Sequence, residues 1–137
     1  MFFESYLKSV LKLGYAVSED EMKLCAKVYS KELSRDSLKE FKRPGIYVIW
    51  NFVSDKGYVG SSFEIAYRWR VHINALRMNR HLNDDGRPSR LQYAWNKHGE
   101  RAFQFYVVEW CIDDVVLTDK ETEWITRLDS YYNGYNQ

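Results

Sequence analysis

The fold class predicted for this chain is α+β: a small three-stranded antiparallel sheet flanked by helices, with a helical extension in front of it. Three features carry that expectation. Apolar residues recur at helical spacing up to residue 43. From Pro44 the pattern changes to runs rich in β-branched and aromatic residues. A short loop containing Asp55 and Gly57 then joins two of those runs as a hairpin.

Each element follows in order. Phe3, Leu7, Val10 and Leu11 make one helical stripe, which Gly14 is placed to end. Ser18 followed by Glu21 is a capping-box pattern opening a second helix, with Met22, Cys25, Ala26, Tyr29 and Leu33 on its apolar face. A third short helix over 37–41 is stopped by Pro44, because the residue before a proline disfavours helical backbone. A strand over 46–52 and a second at Tyr58-Val59 follow, joined by Ser54-Asp55-Lys56-Gly57. Ile65, Ala66, Trp69, Ile73 and Leu76 form a helical stripe whose opposite face carries Arg70, Asn74 and Arg77. Beyond a polar loop over 79–88, Ser89 with Gln92 caps another helix, ended by Gly99. Residues 103–110 alternate as a third strand, and Thr118 with Glu121 caps a last helix bearing Trp124, Ile125 and Leu128. The expected division is a helical extension over 1–43 and a second domain over 44–137.

Composition excludes several classes of function. The 137 residues are 45% hydrophobic and 17% aromatic, with 5 Trp, 11 Tyr and 7 Phe, which is enough large side-chain volume to close a core and too much for a disordered chain. Cys25 and Cys111 match no metal or redox spacing and read as reduced core thiols. The longest uncharged stretch is too short to span a membrane, and the first residues lack a secretory core, so a soluble, intracellular protein without membrane partners is expected. The net charge of +1 does not announce a nucleic acid, so that case rests on local clustering. Residues 65–90 provide such a cluster: Arg68, Arg70, Arg77, Arg80, Arg87 and Arg90 stand against Asp84 and Asp85, and arginine suits bidentate phosphate contact. A solvated helix face is the competing explanation.

The residues able to do chemistry are Gly45-Ile46-Tyr47, Tyr58-Val59-Gly60, Arg68 with His72, Glu121 and Asn136. Arg68 and His72 stand four apart and share one side of a helix, which an exposed polar face would also explain. Glu121 lies three and four residues before Trp124 and Ile125, so it points along the apolar side, where a carboxylate needs a partner or a metal. Its position in the capping box is a second explanation. Taken together the set can cleave a phosphodiester. That reaction needs an activated water, positive charge on the developing phosphorane, and a cation held by at least one carboxylate. A tyrosine can relay a proton, an arginine can clamp two oxygens, and one carboxylate suits Mg²⁺ (or Mn²⁺) that retains several waters.

The stretch over 44–136 resembles a GIY-YIG nuclease domain, and most closely the catalytic domains of phage intron-encoded homing endonucleases. The matching residues are Gly45-Ile46-Tyr47, Tyr58-Val59-Gly60, Arg68-Trp69, His72, Leu91-Gln92, Asn96-Lys97-His98-Gly99, Glu121 before Trp124-Ile125, and Gly134-Tyr135-Asn136. Val59 stands where the name-giving motif has isoleucine. The resemblance implies a divalent-metal-dependent DNA endonuclease with the GIY-YIG fold, and a phage or prokaryotic origin. In that family Tyr47 would be the general base or would orient the water, and Tyr58 would support the phosphate or the metal-bound waters. Arg68 would stabilise transition-state charge, His72 and His81 would move protons, Glu121 would be the sole protein ligand of the metal, and Asn136 would close the site. DNA contacts would come from Arg70, Arg77, Arg80, Arg87, Arg90 and Lys97. A restriction or repair nuclease on the same domain, and a catalytically idle nucleic-acid-binding module, are the alternatives. Residues 1–43 are expected to pack on the nuclease, because their basic and acidic residues are interspersed; a homodimer through their helices and DNA binding are the alternatives.

Overall fold

The computed structural model describes Ala26–Tyr29 as backbone, and residues 41–112 and 116–136 in full. Four strands and four α-helices are present among them, with a 3-10 turn at Glu100–Ala102: β1 (Ala26–Tyr29), β2 (Gly45–Asn51), β3 (Lys56–Ser62), α1 (Ile65–Arg77), α2 (Arg90–His98), β4 (Phe103–Trp110), α3 (Leu117–Leu128) and α4 (Ser130–Asn133). The sheet has the order β1-β4-β2-β3, and every described pairing is antiparallel.

The three expected strands are there, and a fourth joins them. Residues 26–29, which the sequence pattern placed within a helix with Ala26 and Tyr29 on its apolar face, lie along β4 with Ala26 opposite Val107 and Tyr29 opposite Gln104. The segment reads Ala-Lys-Val-Tyr, and the free edge of β4 offers its backbone a full ladder of hydrogen bonds, which outweighs the weaker helical spacing. The helices expected over 1–25 and 30–40, and any dimer contact through them, lie outside the described residues.

β2 is buried from end to end because helices cover both faces of the sheet. On one face Tyr47, Ile49, Phe105 and Val107 pack under Trp69, Ile73 and Leu76 of α1 and Leu91 and Trp95 of α2. On the other, Ile46, Val48, Val59, Tyr106 and Val108 pack under Leu117, Trp124 and Leu128 of α3. Trp50, Trp69 and Trp124 are fully buried, each worth roughly 1.5–3 kcal/mol or more of apolar burial. Cys111 is buried and forms no disulfide. No helix among the described residues is long and apolar enough to cross a membrane.

β3 is the sheet edge, and the chain terminus covers it. Tyr135 N donates to Gly57 O at 2.9 Å, and the Tyr135 hydroxyl bonds Asn51 and Ser54 at the hairpin turn. Gly134 permits this approach: a Cβ there would lie 2.5 Å from the Gly57 carbonyl oxygen. Asn136 then completes the edge as a strand would, its Oδ1 accepting from Val59 N and its Nδ2 donating to Val59 O, both at 2.7 Å.

Candidate active site

Tyr47 sits where β2 and β4 lose register: Ile46 faces Glu109, whereas Tyr47 faces Val107. Such a bulge turns a side chain relative to its neighbours. The ring of Tyr47 is 1% exposed and lies edge-on to Trp69 and His72, with Tyr58 6.5 Å away. Its cross-strand partner is Gly60, and the ring lies across it, since a Cβ at position 60 would be 2.3 Å from Tyr47 Cζ and Oη. The second name-giving glycine is therefore there to make room for the tyrosine of the first motif.

From Tyr47 a line of hydrogen bonds leads away from the sheet. Its hydroxyl is 2.6 Å from His72 Nε2, His72 Nδ1 is 2.7 Å from His81 Nε2, and His81 Nδ1 is 2.6 Å from Ser89 Oγ. The polar loop between α1 and α2 folds back to build this line. Leu82 pairs with Pro88, Asn83 N donates to Arg87 O, and Ser89 N donates to His81 O, so His81 and Ser89 face each other. Ser89 Oγ also accepts the amide of Gln92 and caps α2, as its spacing indicated. The Gln92 side chain accepts from His81 N and donates to Leu76 O and Asn96 Oδ1, tying the loop to both helices.

His72 is 3% exposed, which corrects the exposed-face explanation for the Arg68–His72 pair: its ring turns inward to the sheet while Arg68 remains exposed. Burial, together with His81 and Arg68, pushes His72 down to about 3. Burial and Arg68 also lower His81. Burial pushes the Tyr47 phenol well above its ordinary range; Tyr58 and Glu121 add to this, and Arg68 opposes it. Tyr58 is raised by burial and Glu121 against the pull of Arg68. At neutral pH both phenols are therefore protonated and both imidazoles neutral. Tyr58, Arg68, His72, His81, Asp84 and Ser89 share an open cleft of about 570 Å³. The loop wall thus brings the carboxylates of Asp84 and Asp85 to the cleft, and the arginine that lines it, Arg68, comes from α1.

Glu121 reaches this site from the other face of the sheet. Its Oε2 accepts from Ser61 Oγ at 2.8 Å on edge strand β3, and its charge acts on both Tyr47 and Tyr58. The capping role does not form. α3 begins at Leu117, one residue before Thr118, with Val116 as its N-cap and no side-chain cap bond, so Glu121 is already inside the helix. Among the described residues no three His, Cys, Asp or Glu assemble as a metal cluster. A single half-buried carboxylate with most coordination positions left to water and phosphate fits a hard divalent cation.

The structure brings together Tyr47, Tyr58, Arg68, His72, His81 and Glu121, and sets Asn136 on the β3 edge beside them. It separates the remaining cations. Arg77 is bound bidentately to Glu100 at 2.6 and 3.1 Å. Arg90 donates to the carbonyls of Tyr131 and Gly134, steadying the terminal turn. Arg87 stands 3.9 Å from Asp85, Arg70 is half-buried on α1, and Arg80 is exposed. Lys97 lines another cleft with Lys56, Arg90 and His98. Ser61 and the second use of Ser89 escaped the sequence reading. A serine partner leaves no spacing signal, and the Ser89–Gln92 pattern is fully explained by a cap.

A family model described as the GIY-YIG catalytic domain matches residues 43–136. The chain is 34% identical over 95 residues to intron-associated endonuclease 1 of Enterobacteria phage T4, covering 69% of this chain and 36% of that protein. It is 31% identical over 114 residues to the probable intron-encoded endonuclease 1 of Neurospora crassa, covering 75% of this chain and 34% of that protein. The chain therefore spans about a third of the length of these curated relatives. Among solved structures, the catalytic domain of homing endonuclease I-TevI is similar with a TM-score of 0.59 at 32% identity, covering 69% of this chain and 97% of that one.

Proposed function

The chain belongs to the GIY-YIG family, and from that premise we propose that it is a divalent-metal-dependent endonuclease of the homing type, hydrolysing phosphodiester bonds in DNA. The observation that carries this reading is the hydrogen-bonded line Tyr47–His72–His81–Ser89, whose Tyr47 end feels the charges of Arg68 and Glu121. Because the Tyr47 phenol is raised, it holds no standing phenolate and acts as a relay, donating to His72 as it accepts from water. Tyr47 takes a proton from the attacking water as its own passes to neutral His72 Nε2. His72 releases the proton on Nδ1 to His81 Nε2, and His81 passes one from Nδ1 to Ser89, which lines the cleft and returns a proton to solvent. Arg68 clamps the phosphoryl oxygens with its planar fork.

Glu121 holds the cation, Mg²⁺ or Mn²⁺, with Ser61 fixing the carboxylate. When bound, that cation supplies Lewis acidity toward the phosphoryl oxygens and acidifies water. Tyr58 orients the phosphate beside it, and Asn136 keeps β3 seated. Contacts to the flanking backbone come from Arg70, Arg80, Arg87 and Lys97.

Nicking of supercoiled plasmid with and without Mg²⁺ tests the reading. Wild-type protein nicks only with the cation. Glu121→Gln retains an acceptor for Ser61 and loses the charge, so it lowers nicking by at least about 10²-fold while leaving the melting temperature and DNA affinity close to wild type. Near wild-type nicking by that variant would refute the role of Glu121.

A further inference from the structure

Arg68 belongs to two clefts. Besides the one that holds the histidines, it lines a second of about 390 Å³ together with Ser61, Ser62, Phe63, Glu64 and Tyr67. Phe63 is 73% and Tyr67 60% exposed, so two large rings stand in water on either side of the start of α1. Phe63 is held in place: Ser62 Oγ accepts from Glu64 N at 3.0 Å and donates to Glu64 O at 2.9 Å, closing the turn that carries it. Tyr67 is in the first turn of α1, next to Arg68 in sequence. Ser61, at the same cleft, is the residue whose hydroxyl holds Glu121.

We infer that this second cleft receives the nucleobase next to the cleaved phosphate, stacked on Phe63 and Tyr67. The inference rests on the endonuclease reading and adds a base-binding site to it. A phosphodiester gripped by Arg68 has its own nucleoside within one bond-linked unit, and the cleft that continues from Arg68 offers rings to that unit. Aromatic faces beside a phosphate-binding cation are the composition of a single-nucleotide site, because every base has a π-face and its phosphate needs the charge. Serine hydroxyls at the same cleft supply partners for base or sugar edges.

The test uses the full chain and a duplex of about thirty base pairs containing a nick site mapped on plasmid. Phe63→Leu and Tyr67→Leu preserve apolar bulk and remove the ring. Each is expected to raise KM roughly 10-fold, within the range by which alanine substitution of a stacking ring weakens single-strand binding, with kcat changed less than about twofold and the melting temperature unchanged. Tyr67→Phe keeps the wild-type KM. A duplex abasic at the stacked position abolishes the difference between wild type and the leucine variants. Leucine variants with wild-type KM on the intact duplex would overturn the assignment. So would an unchanged KM accompanied by loss of a dimer in sedimentation, which would make the cleft a contact between copies. If wild-type protein fails to nick with Mg²⁺, the endonuclease reading falls first; if it nicks and the leucine variants match it, only the base site falls.

Discussion

Replacing Gly60 by alanine is expected to damage the site from behind, by displacing Tyr47 while leaving every reacting side chain chemically intact. The new Cβ would lie 2.3 Å from Tyr47 Cζ and Oη and 2.8 Å from Cε2, where ordinary contact begins at 3.4 Å. The ring must therefore move by about 1 Å. Trp69, His72 and Tyr58 surround it, so it has no vacant direction inside the core. The strands cannot part either, because Tyr47 and Gly60 are paired residues of the β2–β3 ladder. Overpacking of this kind costs about 1–3 kcal/mol. Shifting the hydroxyl from its 2.6 Å contact with His72 costs on the order of 10²-fold in rate, the usual effect of a 1 Å misplacement. Guanidinium unfolding and plasmid nicking read the two effects separately. Trimming the ring in the same molecule, Gly60→Ala with Tyr47→Leu, is expected to recover most of the stability lost to Gly60→Ala and none of the activity. Nicking by Gly60→Ala within a few-fold of wild type, or additive stabilities in the double variant, would refute the argument that the glycine exists for the tyrosine.

Asn136→Asp keeps the acceptor for Val59 N but sets a carboxylate oxygen against Val59 O in place of a donor. It is expected to destabilise the domain by about 1–3 kcal/mol, seen as a lower melting temperature; an unchanged melt would show that the edge is held by other bonds. Stability is also expected to depend on pH through His72. Its folded value of about 3 lies below the ordinary imidazole value of 6.5, so the unfolded chain binds the proton first. The His72 contribution is complete above about pH 6.5 and is lost as pH falls toward 3, by up to about 1.4 kcal/mol per pH unit, with His81 acting in the same direction. Urea titrations at pH 7, 5.5 and 4 should show wild type losing more than His72→Gln; parallel losses would remove His72 as the cause.

The sequence by itself determined the three strands of the core sheet, the stripe of α1 and the cap of α2, because each is a local pattern: alternation over 103–110, apolar residues at 65, 66, 69, 73 and 76, and Ser89 three residues before Gln92. It also named the tyrosines, arginine, histidines and glutamate that come together, through motif order rather than geometry. What the tertiary structure decided was how these residues are used. Residues 26–29 became a strand because β4 presented an open edge, a partner no local spacing can announce. Glu121 was open to two roles on paper, and the start of α3 at Leu117 with Ser61 across from it removed the capping one. His72 faces inward because α1 lies over β2, and burial there made its imidazole neutral. Arg77 read as a free cation until Glu100, 23 residues away, came to bind it. Residue type and near-neighbour spacing are written in the chain, whereas desolvation, partner identity and edge pairing arise only when distant segments exclude water from one another.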